Sequence, residues 1–453
     1  MTLHASLDAP ALSLQLAQAL RSAEPSEAAR HTCWRLALDI VGLAVAARET
    51  DYVAAVLGSC VGDGPARVFG HDRRLGLYDA ATVNGTAAHG EDFDDTFEGG
   101  PVHAGAVVVP AVLALADARG LDSAAVLRGI AVGAELMCRL SLVAPQAIHK
   151  AGFHPTAVIG ALAAAGAASA ALDLDESRFA HALGTAGSLA SGIIEYLSDG
   201  SWTKRLHAGS AAAAGLRAAL LAEHGFVGPR TVLEGHHGFF KAFAPSRQAD
   251  FAPLLDGLGQ RWIMEDIAFK PYACGTMTQP FVDCAVDLAR QGIKADEIER
   301  LLCFVGEGTV HRLWEPIEAK RTPPNGYAAK FSTPFCVAVG FLDGAAGLDQ
   351  FTDTRATDPA VRALAAKVAY EIDPKDEYPK NFTGRIRAEL KDGRTVEARK
   401  PHMRGGAKEP LTDAELVAKF RANVEFGKAS PEQRQIALER LQSLAPEGVE
   451  TRL

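Results

Sequence analysis

Apolar residues recur at helical spacing through most of the first 255 positions. "SEAARHTCWRLALDIVGLAVAARE" (26–49) follows Pro25 with such a pattern. So do "AGAVVVPAVLALADARG" (104–120), "DSAAVLRGIAVGAELMCRLSLVA" (122–144), "HPTAVIGALAAAGAASAALDL" (154–174) and "LHAGSAAAAGLRAALLAEHG" (206–225). Their alanine and glycine content lets helix axes approach closely, which predicts a crowded bundle. Gly120, Gly225 and Gly228 suit helix ends. The pattern changes near Arg261. Alternation in "WIMEDIAFKPYA" (262–273) and "IERLLCFVGE" (298–307) predicts strands, and "GRIRAELKDGRTVEARK" (384–400) predicts a hairpin around Asp392-Gly393. Helical spacing lies between them at 276–293 and 327–342. Two helices close the chain, at 412–427 behind Thr412 or Asp413 and at 430–444 behind Ser430, all good N-caps.

These elements predict a mainly α protein with an all-helical domain over 1–261 and a smaller α+β domain over 262–400. Helices over 401–453 are expected to pack back on the first domain. A length of 453 residues agrees with more than one core. Hydrophobic residues make up 48% and charged residues 22%, so extended disorder is excluded. The net charge of -9, with no Lys/Arg run, argues against a nucleic-acid partner. No stretch offers the ~20 strongly apolar residues of a membrane span, and "MTLHASLDAPALSLQLAQAL" lacks the pattern of a signal peptide. The seven cysteines (Cys33, Cys60, Cys138, Cys274, Cys284, Cys303 and Cys336) are widely spaced without CxxC. They predict a reducing, cytoplasmic setting and small buried hydrophobes rather than a disulfide framework or compact metal site.

Against this apolar background, "AHGEDFDDTFEGGPVHAG" packs two histidines and five acids into eighteen positions. Three readings compete: a metal site, a solvated loop, or a site for moving protons. HxxxH and HExxH spacings are absent. Continued as a helix, the stretch puts His89, Asp92 and Thr96 on one face, with Asp95 beside it and Glu91 and Asp94 pointing elsewhere. Gly99-Gly100-Pro101 then breaks the chain, and His103 precedes the next helix. There it can meet a carboxylate from the preceding helix, which would orient the ring and raise its basicity. Other ionisable groups also fall at element ends: His154 before Pro155, Lys204, Arg205 and His207 after a Gly turn, and Lys270 at the end of a predicted strand. His236-His237 reads as a loop or cap, because adjacent residues face apart on a helix. Cys274 has no His-plus-acid arrangement to make it a nucleophile, and "FVGEGTVHRLWEP" is no phosphate-binding GxGxxG.

"AHGEDFDDT", "HAGAVVVPAVLALAD", "GFHPTAVIGA", "SDGSWTKRLHAG" and "FKPYACGTMTQP", in this order, resemble the MmgE/PrpD family over nearly the whole chain. That family includes 2-methylcitrate dehydratase, cis-aconitate decarboxylase and iminodisuccinate epimerase. The resemblance implies a large helical domain with an α+β lid, a homodimer, and no metal or organic cofactor. It implies catalytic roles for His103, oriented by Asp92, and for His154, and substrate contacts from Thr96, Lys204 and Lys270, with Arg205 assisting. Two positions depart from relatives: Gly275 stands where decarboxylase members carry histidine, and Phe335 where tyrosine is frequent. The expected reaction is α-proton abstraction from a small hydroxy di- or tricarboxylate, a hydro-lyase first. Epimerisation of an iminodisuccinate-like substrate, or decarboxylation, is the alternative. A base and a cationic surround both serve such chemistry, and helix starts near 104 and 155 favour anions. A non-catalytic binding protein and a metal-dependent hydrolase using the DFDDT acids are the readings from other classes.

Overall fold

A computed structural model describes residues 10–446. Residues 1–9, part of the stretch read above as lacking a signal peptide, and 447–453, the end of the C-terminal segment, lie outside it. The chain forms two compact units. The first comprises the residues up to Gly90, Asp94–Ile267 and those from Leu416 onward; the second comprises Glu91–Phe93 and Ala268–Glu415. The division thus falls after Ile267 rather than Arg261, and the chain rejoins the first unit at Leu416 rather than at 401.

The first unit is a helical bundle. Its centre is the helix Pro155–Ala171, every residue of which is buried. A sequence of alanine and glycine with few large side chains makes such complete enclosure possible, because neighbouring backbones can close over it. Ser123–Val143 and Thr203–Glu223 pack along it, and Leu77–Gly90 packs on Thr203–Glu223. The last two helices touch backbone to backbone: a Cβ on Gly85 would lie 2.7 Å from Gly209 Cα, and one on Gly209 would lie 2.1 Å from the Thr82 carbonyl oxygen. Any side chain there would wedge the helices apart. That close crossing draws the end of the Leu77–Gly90 helix, with His89, toward the start of the other, with His207. Within this unit the tail is fixed by a buried ion pair, Lys419 to Asp39 at 2.7 Å, and by Phe420 against Gly42.

The second unit holds a four-stranded sheet. Ile298–Val305 lies between Val368–Ile372, parallel to it, and Gly384–Leu390, antiparallel; Thr395–Lys400 completes the edge. Gly384–Leu390 alternates buried and half-buried positions, as a sheet covered on one face requires. The helix Gln279–Arg290 packs on it. The hairpin turns where expected, with positive φ at Gly393 alone.

Three local expectations need correction. The stretch 262–273 is no extended strand: Ile263–Asp266 is a 3-10 turn and only Ile267–Ala268 is strand. Four consecutive residues, Ile267 to Lys270, are buried, so the alternation does not persist. The helix carrying His89 stops at Gly90, and Asp92 has φ of 55°, a left-handed value that ends helical geometry. His89, Asp92 and Thr96 therefore share no helical face. Gly228 ends no helix either; it meets the His181 carbonyl oxygen across a close contact. No helix among the described residues is long and apolar enough to cross a membrane.

Candidate active site

Four imidazoles and a carboxylate gather in the helical unit. His89, at the end of its helix, lies 2.7 Å through Nδ1 from Asp94 Oδ2, with both side chains fully buried. His103 Nδ1 is 3.4 Å from the same oxygen and 2.6 Å from the Asp95 carbonyl oxygen. A carbonyl oxygen only accepts, so His103 Nδ1 carries the hydrogen. In the neutral ring Nε2 then holds the lone pair, the arrangement of a general base. The His89 and His103 rings meet edge to face at 4.9 Å, and His89 stacks on His154 at 5.6 Å.

The chain around His103 is held by a remote cap. Gly105 opens the helix Gly105–Arg119, and its N–H donates to both Asp95 carboxyl oxygens at 3.0 and 3.1 Å. The residue before it, Ala104, has no side chain to cap with, so Asp95 satisfies an otherwise orphaned donor. A Cβ on Gly105 would lie 2.4 Å from Asp95 Oδ1. Burial, followed by the neighbouring Asp94 carboxylate, pushes Asp95 up to about 8. The helix start near 104 is thus already met by a carboxyl group rather than open to a substrate anion. The His103 backbone N–H donates to Thr156 Oγ1 at 3.3 Å.

His154 precedes its helix as expected. Its N–H donates to the Gly192 carbonyl oxygen at 2.9 Å, and its Nδ1 lies 3.2 Å from His207 Nδ1. Tyr196 presents its ring edge-on to both imidazoles. Burial pushes His154 well below the ordinary histidine range, and the charges of His89, Lys204, His207 and His103 push the same way. His207 falls to about 4, by burial first and then by His89 and Lys204. Both rings are therefore neutral near pH 7.

The structure relocates several expected partners. Asp94, read from sequence as pointing elsewhere, meets His103 Nδ1 together with the Asp95 carbonyl, because the helix ends at Gly90 instead of continuing to Thr96. Asp92 belongs to the second unit, where the buried Lys270 Nζ donates to its carbonyl oxygen at 2.7 Å and lies 3.7 Å from its Oδ1. In the same unit Lys330 donates to the Glu91 carbonyl and carboxylate at 2.7 and 2.8 Å. Two lysines thus clamp the 91–93 segment. Thr96 is buried and begins the two-residue strand Thr96–Phe97. Arg205 lies over the Tyr52 ring at 4.5 Å. Lys204, half-buried in the first turn of its helix, is near enough to His154 and His207 to depress both.

His89, Asp94 and His207 join the cluster although their sequence positions assign them no chemical role. His207 had a usable signal, since it lies three residues beyond Lys204 on one helix face. His236 and His237 sit in a turn rather than a helix, so their rings touch at 4.7 Å. All seven cysteines are free, and six are buried.

Among the described residues, His89, Asp94 and His103 are grouped closely enough to hold a metal ion, with donor atoms within 4.8 Å of one another. Both Nδ1 atoms face oxygen acceptors at hydrogen-bond distance, so Nε2 is the nitrogen of each neutral ring that can ligate a metal or take up a proton.

Comparison with known proteins matches both parts of the chain to family models. The MmgE/PrpD N-terminal domain matches residues 14–252, and the MmgE/PrpD C-terminal domain matches residues 272–444. A cis-aconitate decarboxylase of Mus musculus is 32% identical over 405 residues, covering 84% of this chain and 79% of that protein. The Homo sapiens cis-aconitate decarboxylase is 32% identical over 367 residues, covering 78% and 73%. One from Aspergillus terreus is 28% identical over 416 residues, covering 84% and 83%.

Proposed function

The chain belongs to the MmgE/PrpD family, and from that premise we propose that it is a lyase that moves a proton at a carbon beside a carboxylate of a small polycarboxylate. The observation that carries this reading is the tautomer of His103. With Nδ1 hydrogen-bonded to a carbonyl oxygen, the neutral ring carries its basic lone pair on Nε2, and Asp94 lies 3.4 Å from Nδ1 to stabilise the imidazolium that results when that nitrogen takes a proton. His154, neutral and buried, is the group to return a proton to carbon or to a leaving hydroxyl. Lys204 supplies positive charge for a substrate carboxylate, and as negative charge grows on that carboxylate in the transition state the attraction strengthens.

Decarboxylation of a cis-aconitate-like substrate is the first reaction to assign, because the relatives above carry that activity in their names. Loss of CO₂ leaves an electron pair on carbon, and one proton must then be delivered to it. Dehydration of a hydroxy tricarboxylate is the second reading. It is favoured by the base-competent His103 beside a second imidazole, since dehydration needs a base and an acid together.

The test is incubation of the purified protein with cis-aconitate and, separately, with 2-methylcitrate in deuterated water. Release of CO₂ with one deuterium in the product supports the first reading; an unsaturated product formed with loss of water supports the second. A protein that does neither, and leaves both substrates without deuterium, is no lyase of this kind.

A further inference from the structure

His154 and His207 meet through the same atom type, Nδ1 to Nδ1, at 3.2 Å. Two like nitrogens at that distance share a single hydrogen: one ring donates and the other accepts. Whichever ring accepts at Nδ1 must carry its own hydrogen at Nε2. The pair therefore has two neutral states, related by moving one proton across the bridge and one at each outer nitrogen.

The surroundings hold the two rings to this contact. His154 is fixed by its backbone bond to Gly192 and by its place before the helix Pro155–Ala171. His207 sits in the first turns of Thr203–Glu223 with Tyr196 on its edge, 5.8 Å between centroids. A Cβ on Gly192 would lie 2.5 Å from Ala157 and 3.4 Å from the His207 ring, so a side chain there would crowd the pair. The ionisable groups around the two rings are His89, His103, Lys204 and Tyr196. The first three disfavour a second positive charge, which keeps the pair neutral.

We infer that His207 is a relay and positioning residue for His154, presenting a hydrogen from its Nδ1 so that His154 gives up a proton at Nε2 without becoming an imidazolate. This rests on the reading that the chain protonates a substrate carbon. The step balances. The bond from carbon to the departing carboxylate breaks, CO₂ leaves, and its electron pair stays on carbon. That carbon takes the hydrogen from His154 Nε2. His154 Nδ1 takes the hydrogen from His207 Nδ1, and His207 Nε2 takes a proton from water. One solvent proton is consumed for each CO₂ released, and both rings end neutral with their tautomers reversed. After the product leaves, water returns a proton to His154 Nε2, the bridging hydrogen moves back, and His207 Nε2 releases its proton.

Two variants separate relay from packing. His207→Asn keeps a side chain able to bond His154 Nδ1 but cannot pass a proton on; His207→Phe fills the space and makes no bond. With wild-type turnover of cis-aconitate established, His207→Asn should lower kcat about 10- to 100-fold, within the range of general acid–base effects, with KM nearly unchanged. The solvent isotope effect should change from a curved dependence on deuterium fraction, reporting more than one moving proton, to a linear one. His207→Phe should lose more kcat than His207→Asn. Equal losses in both variants, with an unchanged isotope dependence and pH profile, would mean that His207 only packs. If the wild type turns over no polycarboxylate, the function proposed above fails, and the pair is then judged by ¹⁵N spectra of histidine-labelled protein. Movement of His154 Nδ1 and Nε2 resonances between tautomers in His207→Phe supports the shared hydrogen; unmoved resonances overturn it.

Discussion

The two units hold buried ionisable groups by opposite means. In the helical unit, His154 and His207 are pushed toward the neutral form, and His89 and His103 share one carboxylate oxygen. In the second unit, Lys270 is set against Asp92 and Lys330 against Glu91, and Arg404 pairs with Asp283 at 3.1 Å. A neutral imidazole can lose a hydrogen at one nitrogen while gaining one at the other and stay uncharged. A buried ion pair cannot: removing either charge leaves the other unsolvated. The first arrangement suits turnover and the second suits holding a segment in place.

Breaking the imidazole side should give the largest effect. His103→Ala should lower turnover by about 10²- to 10⁴-fold, the span of a lost acid–base group, with its melting temperature nearly unchanged. A steady-state assay beside a thermal melt checks both. Breaking the ion-pair side should act on stability instead. Lys270→Met leaves the Asp92 carbonyl without its donor and removes one charge of a buried pair, a loss of about 3–5 kcal/mol, read by chemical denaturation. A Lys270→Met protein of unchanged stability but raised KM would return Lys270 to the substrate-binding role read from sequence.

Asp94→Asn sharpens the contrast at intermediate size. The carboxylate that stabilises the His103 imidazolium is gone, so the kinetic pKa of His103 should fall and activity drop by about 10- to 100-fold. A pH–rate profile measures the shift, and an unmoved profile would break the assignment of Asp94 as the orienting acid.

The smallest effects lie in the pH dependence of stability. Asp95 is raised in the folded state to about 8. The folded chain therefore binds more protons than the unfolded one between the ordinary carboxylate range and pH 8, and this group's contribution falls as pH rises through that window. Asp95→Asn should flatten that slope. His154 and His207 act in the opposite sense. Their folded-state values are depressed, so the unfolded chain takes up protons first, and their contribution is lost as pH falls from about 6.5 toward the value of about 4 at His207. Melting curves of wild type and His207→Asn from pH 4 to 7 should converge at the alkaline end.

The chain by itself determined the helical bundle and its crowding, through apolar periodicity and the small residues of 155–171. It determined the hairpin through Asp392-Gly393, and the placing of His103, His154 and Lys204 at element starts. These are short-range properties, set by spacing within a turn or two and by the φ each residue tolerates. The tertiary structure alone decided which acid serves His103, because that depended on the helix ending at Gly90 and on the left-handed turn at Asp92. It alone brought His207 to His154, and Lys270 to Asp92. Contacts between residues so far apart in sequence follow from how closely the helices and loops pack, and no local pattern of residues carries that distance.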